Sequence, residues 1–292
     1  MSSGRIIGKR EHIFDGFNAV LMFLVIILTL YPFWYVIVAS VSSISHVTNS
    51  VVLLWPDGLH WDSYQQIFRN NLIPVAYGNT LFITLIGTLL SMLLTCVSAF
   101  VLSRKELPGH TFLTVFVVFT MLFNAGLVPF YLQVRDLSLL NTRWSLIFPF
   151  LISTYNTIIM RNFFQAIPND LYEAAEIDGC SYWKYFTRIL LQVSTPVLAT
   201  ITLFYLVRYW NAYFYSILFI TDRNKFPIQA ILRQILMSSE FQTLMYDDAT
   251  QSMPSEMLKC AMIVISALPI ICVYPFLQKY FVKGIMVGSL KG

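Results

Sequence analysis

The most distinctive arrangement of polar side chains in this chain is an acidic segment at residues 167–179. Pro168 near its beginning and Gly179 at its end predict a short helix with marked termini. Asp170 is predicted to cap that helix, with Glu173 three residues later as in a capping box. Ser181 is predicted to cap a second short helix. The pattern predicts two short helices that meet at Gly179.

One face of the predicted acidic helix combines small side chains with charge. Glu173, Glu176 and Asp178 cluster negative charge in this segment, and of the three only Asp178 lies on that face. Two adjacent alanines on the face would let another backbone approach closely. The residues that recur at helical spacing are Leu171, Ala174, Ala175 and Asp178. An ordinary amphipathic surface helix fits the same features, so the pattern alone leaves both interpretations open.

A second group of residues could handle a neutral, hydroxyl-rich solute. Aromatic faces stack on the C–H surface of a sugar, and an amide both donates to and accepts from hydroxyls. The candidates for such a substrate path are Asn156, Tyr209, Trp210 and Asn211, with Asn124 and Tyr205 as further members. Helix packing or anchoring at the membrane interface is the competing, favoured interpretation of each. Arg208 could attract an anionic sugar or could sit at the membrane surface.

Motifs for other chemistry do not occur. The cysteines and histidines are scattered, without the spacing of a zinc site. The nearest approach to a P-loop, residues 4–10, is too short between its glycines and has Arg10 where Ser or Thr must hold Mg²⁺. No nucleophile elbow or zinc-protease motif is present. We therefore expect no enzyme activity, metal or cofactor on this chain, and any ATP would be bound by a separate chain.

The composition indicates a membrane protein. Of 292 residues, 57% are hydrophobic and 12% are charged, against roughly 45–50% and about 25% in soluble domains. The net charge of +4 is too small to suggest nucleic-acid binding. Disordered, coiled-coil and collagen-like classes are excluded. Since no carboxylate lies in the apolar runs, a proton- or sodium-coupled carrier is disfavoured.

The apolar runs predict an all-α integral membrane protein with six transmembrane helices in a single domain, 1–292. The predicted spans are about 18–40, 72–102, 111–134, 144–160, 189–220 and 260–277. The first is too long for the apolar part of a signal peptide and is interpreted as retained. Basic residues place both termini, the loop at Lys105 and the loop 161–188 in the cytoplasm. The segment 221–256 is predicted to lie outside, with a short amphipathic helix.

A set of residues in and after the acidic segment resembles the EAA loop of permease subunits in binding-protein-dependent ABC importers: Glu173, Ala174, Ala175, Asp178, Gly179, Phe186 and Pro196. The match departs at Cys180 and Gln192, where the sugar-transporter form has Ala and Pro. The carboxyl end, 278–292, is similar to the tail of the six-helix subunit in maltose-type transporters and is interpreted as flexible. Residues 209–214 and 227–229 resemble the branch that handles complex oligosaccharides such as alginate or pectin-derived sugars.

The resemblance implies a permease subunit that forms half of the translocation pathway for an oligosaccharide. The loop 161–188 would hold the coupling helices, which dock on a cytoplasmic ATPase. Glu173 would pair with a basic residue of that ATPase, Ala174 and Ala175 would allow close approach, and Asp178 and Gly179 would complete the coupling residues.

The implied partners are a second homologous permease, two ATPase subunits that bind ATP and Mg, and an extracytoplasmic (periplasmic) solute-binding protein. The implied location is the bacterial cytoplasmic (inner) membrane. The alternative from another class is an integral membrane enzyme or assembly factor without ATP coupling, which would purify without an ATPase.

Overall fold

The computed structural model describes residues 9–49, 54–69, 71–123, 125–245 and 256–289, which are mostly helical and contain no β-strand. The helices are α1 Lys9–Val41, α2 Ile44–Asn49, α3 Asp62–Arg69, α4 Leu72–Ser103, α5 His110–Leu122, α6 Leu127–Asp136, α7 Thr154–Gln165, α8 Asp170–Ile177, α9 Tyr182–Tyr185, α10 Leu191–Val193, α11 Thr195–Trp210, α12 Phe214–Phe219, α13 Ile228–Met245 and α14 Glu256–Ser289. Short 3-10 turns lie at Arg143–Leu146, Phe148–Phe150 and Arg223–Lys225, and a π-helical turn at Phe186–Leu190.

Contacts within the chain divide it into two compact units. The first comprises Met1–Arg69 and Ile235–Ile265, and the second comprises Asn70–Gln234 and Ser266–Gly292. In the first unit, buried side chains from α1, α2 and α14 form a small apolar core of Val38, Ala39, Val47, Met257 and Cys260. Every candidate site residue described below lies in the second unit.

Three stretches of helix in the described residues are long and apolar enough to cross a membrane: Phe14–Val41, Leu72–Ser103 and Glu256–Val273. They correspond to the first, second and sixth predicted spans. The third and fifth predicted spans are each divided into helices that meet at a sharp bend. Counting each bent pair as one span would bring the total to five.

The breaks have local causes. The third predicted span is interrupted between α5 and α6, where Phe123 is extended and Gly126 has a φ of 89°. In the fifth predicted span, the helical stretch Tyr182–Val193 meets α11 at 83°. Pro196 lies in the first turn of α11, so the chain can begin a new helix there but cannot continue the previous one.

The predicted fourth span, 144–160, differs most from the structure because it is not one helix. Pro149 interrupts the helical hydrogen bonds, and the segment forms two 3-10 turns before α7 begins at Thr154. Ser153 is extended, and its hydroxyl caps α7 by accepting the N–H of Asn156. α7 itself has 12 residues, too few to cross a bilayer alone.

The segment after the fifth span contains the predicted amphipathic helix, α13, with Ile228 and Ile231 buried and Arg233 exposed. The carboxyl tail, predicted to be flexible, is helical over residues 278–289, where the backbone continues α14. Neither Gly284 nor Gly288 ends the helix, because glycine weakens a helix without removing a backbone donor.

α4 is the helix around which the second unit packs, and its two faces differ in side-chain size. The exposed face repeats leucine every fourth residue: Leu81, Leu85, Leu89 and Leu93. The buried face is lined by small and hydroxyl-bearing residues: Ala76, Thr80, Thr84, Gly87, Thr88, Ser91, Thr95 and Ala99. Small side chains let neighbouring helices approach closely, and α4 packs chiefly against α7 and α11.

Two tyrosines of α11 lie against the small-residue face of α4. The Tyr205 hydroxyl lies 2.8 Å from Thr95 Oγ1 and accepts the N–H of Ser153 at 3.1 Å. The Tyr209 hydroxyl lies 2.9 Å from Ser91 Oγ and donates to the carbonyl of Phe150 at 3.2 Å. These bonds join α4, α11 and the segment that leads into α7, and they satisfy phenol groups that burial would otherwise make costly.

We expect Gly87→Ala to weaken this packing, because a Cβ at residue 87 would lie 2.8 Å from the Tyr209 ring. The Tyr209 hydroxyl is hydrogen-bonded to Ser91 and to the Phe150 carbonyl, so the ring cannot easily move away. Overpacking at this position should therefore lower the free energy of unfolding by about 1–3 kcal/mol. Gly78→Ala, in the same helix, is the matched control because nothing lies within 4 Å of its Cβ position. Thermal unfolding in detergent should show a lower midpoint for Gly87→Ala only. Equal midpoints for the two variants would contradict this account of the packing.

Candidate functional site

The carboxyl end of α8 is fixed by a Schellman motif. Gly179 has a φ of 74°, a left-handed conformation that glycine adopts without strain. The N–H of Cys180 donates to the carbonyl of Ala175 at 2.9 Å, and that of Gly179 donates to the carbonyl of Glu176 at 2.9 Å. Together these bonds form the motif and confirm the predicted helix end at Gly179.

The amino end of α8 differs from the prediction. Asn169 occupies the capping position without a side-chain capping bond, and Asp170 is the first helical residue. Asp170 and Glu173 therefore lie in the first turn, where a carboxylate is stabilised by the positive end of the helix dipole. The predicted cap of α9 is confirmed, since Ser181 Oγ accepts the N–H of Lys184 at 3.3 Å.

The alanine pair does not present a shared exposed face. Ala175 is only 5% exposed and packs inside the chain, whereas Ala174 and the acidic residues 173, 176 and 178 are exposed. Ile177, beside them, is 86% exposed. Other large exposed side chains of the loop are Leu171, Tyr182 and Trp183. The loop therefore offers an acidic surface with apolar side chains, which is the composition of a contact site.

One cation attaches this loop to α4. Arg104 follows the last residue of α4, and four aromatic rings surround its guanidinium, which together form the Arg104 cage. The distances from the guanidinium carbon to the ring centroids are 4.1 Å for Tyr172, 5.2 Å for Phe100, 5.2 Å for Tyr185 and 5.7 Å for Tyr182. Cation–π attraction acts within about 6 Å, so this side chain joins α4 to both α8 and α9.

The tyrosines of the Arg104 cage also hold one another. The rings of Tyr172 and Tyr182 stack at 5.3 Å between centroids, and Tyr185 meets Tyr172 edge-on at 5.1 Å. A hydrogen bond with Tyr182 is the main cause that raises the pKa of Tyr172 to about 12. The phenol is therefore neutral at physiological pH, and Arg104 interacts with ring faces rather than with a phenolate.

Side chains from α7 reach the same end of α4. Arg161 Nε donates to the carbonyl of Leu102 at 2.9 Å, and Gln165 Nε2 donates to the carbonyl of Ser103 at 3.4 Å. The ring of His110, at the start of α5, has Nε2 3.0 Å from the Leu102 carbonyl. Helix ends leave carbonyls without intrahelical partners, and these bonds satisfy them.

The second candidate site is a cavity of about 840 Å³ beside the break between α5 and α6. We call it the Arg208 cavity. Part of its wall is an aromatic cluster, in which the Phe150 and Tyr215 ring centroids lie 4.7 Å apart and the Phe130 centroid lies 5.6 Å from each. Gln133 contributes an amide, and the guanidinium carbon of Arg208 lies 5.0 Å from the Phe150 ring centroid. The cavity thus combines aromatic faces with one cation.

The structure separates the predicted substrate-path residues. Trp210 is 4% exposed and donates its indole N–H to the Ser266 carbonyl at 2.9 Å, and Asn156 is buried in α7. Asn211 is exposed, and its amide donates to the Val207 carbonyl at 2.9 Å. Asn211 and Tyr209 line a smaller cavity of about 230 Å³, whose wall also includes Arg208. Tyr205 is buried, and Asn124 lies outside the described residues.

Sequence reasoning missed the Arg104 cage and most of the aromatic wall of the Arg208 cavity. Arg104 was informative only as a basic residue in a predicted cytoplasmic loop. Tyr182 and Tyr185 share one face of α9, but Tyr172 belongs to α8, and the turn at Gly179 brings the two helices together. The number of tyrosines in so short a polar loop is the one signal that could have indicated a cluster.

The architecture can be compared with known proteins. The family model described as "Binding-protein-dependent transport system inner membrane component" matches residues 87–287, more than half of the chain. The polygalacturonan/rhamnogalacturonan transport system permease protein YtcP of Bacillus subtilis is 41% identical over 97% of this chain and 100% of that protein. Protein LplC of the same organism is 39% identical over 97% of each chain.

A solved structure supports the same relationship. One chain in the crystal structure of a bacterial ABC transporter involved in the import of the acidic polysaccharide alginate superposes with a TM-score of 0.86. It is 33% identical and covers 95% of this chain and 100% of that chain. With a family model over most of its length and relatives this similar, the chain belongs to the inner membrane components of binding-protein-dependent transport systems, the permease subunits of ABC importers.

Proposed function

We propose that this chain forms half of the translocation pathway for an acidic oligosaccharide, driven by ATP that partner subunits hydrolyse. The family supplies the general activity, a permease subunit of a sugar importer. The acidic substrate class is supported by two relatives, one named for polygalacturonan and rhamnogalacturonan and one from an importer of alginate. All of these polymers contain sugar acids, and the Arg208 cavity offers a cation among aromatic rings.

The observation that carries the proposal is the attachment of the exposed acidic helix α8 to the end of α4 through the Arg104 cage. We infer that α8 and α9 are the coupling helices. Glu173 would pair with a basic residue of a cytoplasmic ATPase, and Ala174 and Ile177 would contact its surface. Asp178 and Gly179 would shape the end of α8. Ala175 would support the loop from inside, because it is buried.

The two ends of α4 support an arrangement across the membrane. Its 32 residues span about 48 Å, more than the roughly 30 Å hydrocarbon core. Near its beginning, Asn79 Nδ2 donates to the Asn224 carbonyl at 2.7 Å, and Thr80 Oγ1 accepts the N–H of Ile228 at 2.8 Å. The segment that precedes α13 therefore lies at the opposite end of α4 from the coupling loop, in agreement with one outside and the other in the cytoplasm.

We propose that α4 transmits the movement of the coupling loop. A displacement of α8 would reach α4 through the Arg104 cage, and α4 would move α11 through Tyr205 and Tyr209. α11 bears Arg208, so the movement would reshape the cavity. Tyr209 and Asn211 would border the solute path, while Trp210 and Asn156 would support it by packing.

The complete importer would contain partner chains. We propose a second homologous permease, two ATPase subunits that bind ATP and Mg, and an extracytoplasmic solute-binding protein.

The family and the apolar helices place the chain in the inner membrane as a multi-pass protein. Six spans would result if the third and fifth are broken helices and the 3-10 turns with α7 complete the fourth. Both termini would then face the cytoplasm.

The coupling role predicts that Ala174→Glu obstructs ATPase docking. Ala174 is exposed, so a longer charged side chain would not disturb the interior of the loop. In the reconstituted complex, substrate-stimulated ATP hydrolysis should fall about tenfold, equivalent to about 1.4 kcal/mol of lost coupling. Ala174→Ser keeps the residue small and should behave as the wild type. Undiminished stimulation in Ala174→Glu, with normal assembly, would show that α8 does not dock as proposed.

The orientation predicts which positions a membrane-impermeant maleimide can reach in intact cells. The four native cysteines are first replaced, and single cysteines are introduced as Leu59→Cys and Ile177→Cys. Both native residues are well exposed, so local burial will not decide the outcome. Leu59→Cys should react in intact cells, and Ile177→Cys should react only after permeabilisation. Reaction at residue 177 in intact cells would overturn the proposed orientation of the coupling loop.

A further inference from the structure

Arg208 is a cation that has no carboxylate partner in the described part of the chain, and no other residue of α11 is charged. α11 contains no Asp, Glu or Lys, and Arg208 is its one arginine. Among the residues that the structure describes, none supplies a carboxylate within 4.0 Å of it, and its side chain is exposed to the Arg208 cavity. A charged group in a membrane-spanning helix is costly and usually serves a function. Arg208 lies in the last turn of α11, where the helix dipole favours a cation, but no ion pair within the described residues holds it.

The Phe150 ring orients the Arg208 guanidinium so that it can bind a carboxylate. With its carbon 5.0 Å from the Phe150 ring centroid, the guanidinium is restrained by one aromatic contact. Arg presents several N–H donors in a rigid plane that matches a carboxylate in a two-bond geometry. The Phe150 contact thus restricts the Arg208 side chain, and the N–H donors of the guanidinium stay available to a ligand.

The rest of the cavity fits a sugar ring. Phe130, Phe214 and Tyr215 add aromatic faces and edges, and Gln133 can both donate to and accept from hydroxyls. The volume of about 840 Å³ lies within the range of small-molecule sites, roughly 300–1,000 Å³. Aromatic faces alone would suit any sugar. The cation is the feature that distinguishes a sugar acid from a neutral sugar.

We propose that Arg208 binds the carboxylate of a uronic acid unit of the oligosaccharide in transit and so makes this permease selective for acidic chains. This inference rests on the proposed function and adds a specificity-determining residue to it. The unit would lie in the Arg208 cavity, with its carboxylate paired to the guanidinium and its ring against the aromatic wall. A neutral chain of the same length would leave Arg208 unpaired during passage and would pass less readily.

The test compares two probes in proteoliposomes that contain the complete transporter and its solute-binding protein. The probes are trigalacturonate and galactotriose, its carboxyl-reduced counterpart, and the measured quantity is the ratio of their uptake rates. Wild-type and variant complexes share one binding protein, so a change in the ratio reports on the permease. Arg208→Gln should lower the acid-to-neutral ratio by about tenfold. The matched control is Arg223→Gln, an exposed arginine outside the cavity, which should leave the ratio unchanged.

The outcomes separate this inference from the function on which it rests. If the wild-type complex imports neither probe, both the proposed function and this inference are wrong. Import of trigalacturonate with an unchanged ratio in Arg208→Gln overturns the inference alone. If Arg208→Gln does not assemble, the same uptake ratio is measured for Arg208→Lys. An acid-to-neutral ratio that falls about threefold supports bidentate binding of the carboxylate by Arg208, and an unchanged ratio overturns the inference. A wild-type ratio that depends on anionic lipid in the vesicles would assign Arg208 to a lipid phosphate and also overturn the proposal.

Discussion

The close contact between α4 and α11 is the constraint on which the second unit depends. Gly87 leaves room for the Tyr209 ring, and the hydroxyls of Tyr209 and Tyr205 reach Ser91 and Thr95 on the same face of α4. In a membrane, where lipid competes equally for apolar surface, small residues and buried hydrogen bonds determine which helices associate. Leucines on the opposite face of α4 face outwards for that reason.

This contact places two sites on one connected framework. At one end of α4, the Arg104 cage holds the proposed coupling loop, residues 161–188, and at the other end Asn79 and Thr80 hold the segment before α13. α11, bonded to α4 through Tyr205 and Tyr209, presents Arg208 to the cavity. The proposed transport cycle requires no chemistry from this chain. It requires only that a displacement of the proposed coupling loop reach the Arg208 cavity, and tight packing between the helices allows this.

Much of this organisation could be predicted from the sequence. Long apolar runs predicted the spans that begin near residues 18, 72 and 260, and Gly179 and Ser181 predicted the boundaries within the loop because local backbone geometry fixes them. The interrupted segments could not be predicted from hydropathy, since Pro149 and Gly126 change the backbone without changing the apolar character. The Arg104 cage and the burial of Ala175 depend on tertiary contacts, which no local spacing encodes.

The most direct test of this account is whether the proposed coupling loop and α4 move as one body. Spin labels at Ile177→Cys and Leu89→Cys, two exposed positions on α8 and α4, would report their separation in the reconstituted, otherwise cysteine-free complex. We predict one narrow distance distribution that is the same with and without ATP, because the Arg104 cage joins the two helices. Arg104→Met, which removes the cation, should broaden that distribution. A shift in the distance on ATP binding with Arg104 intact would contradict the account.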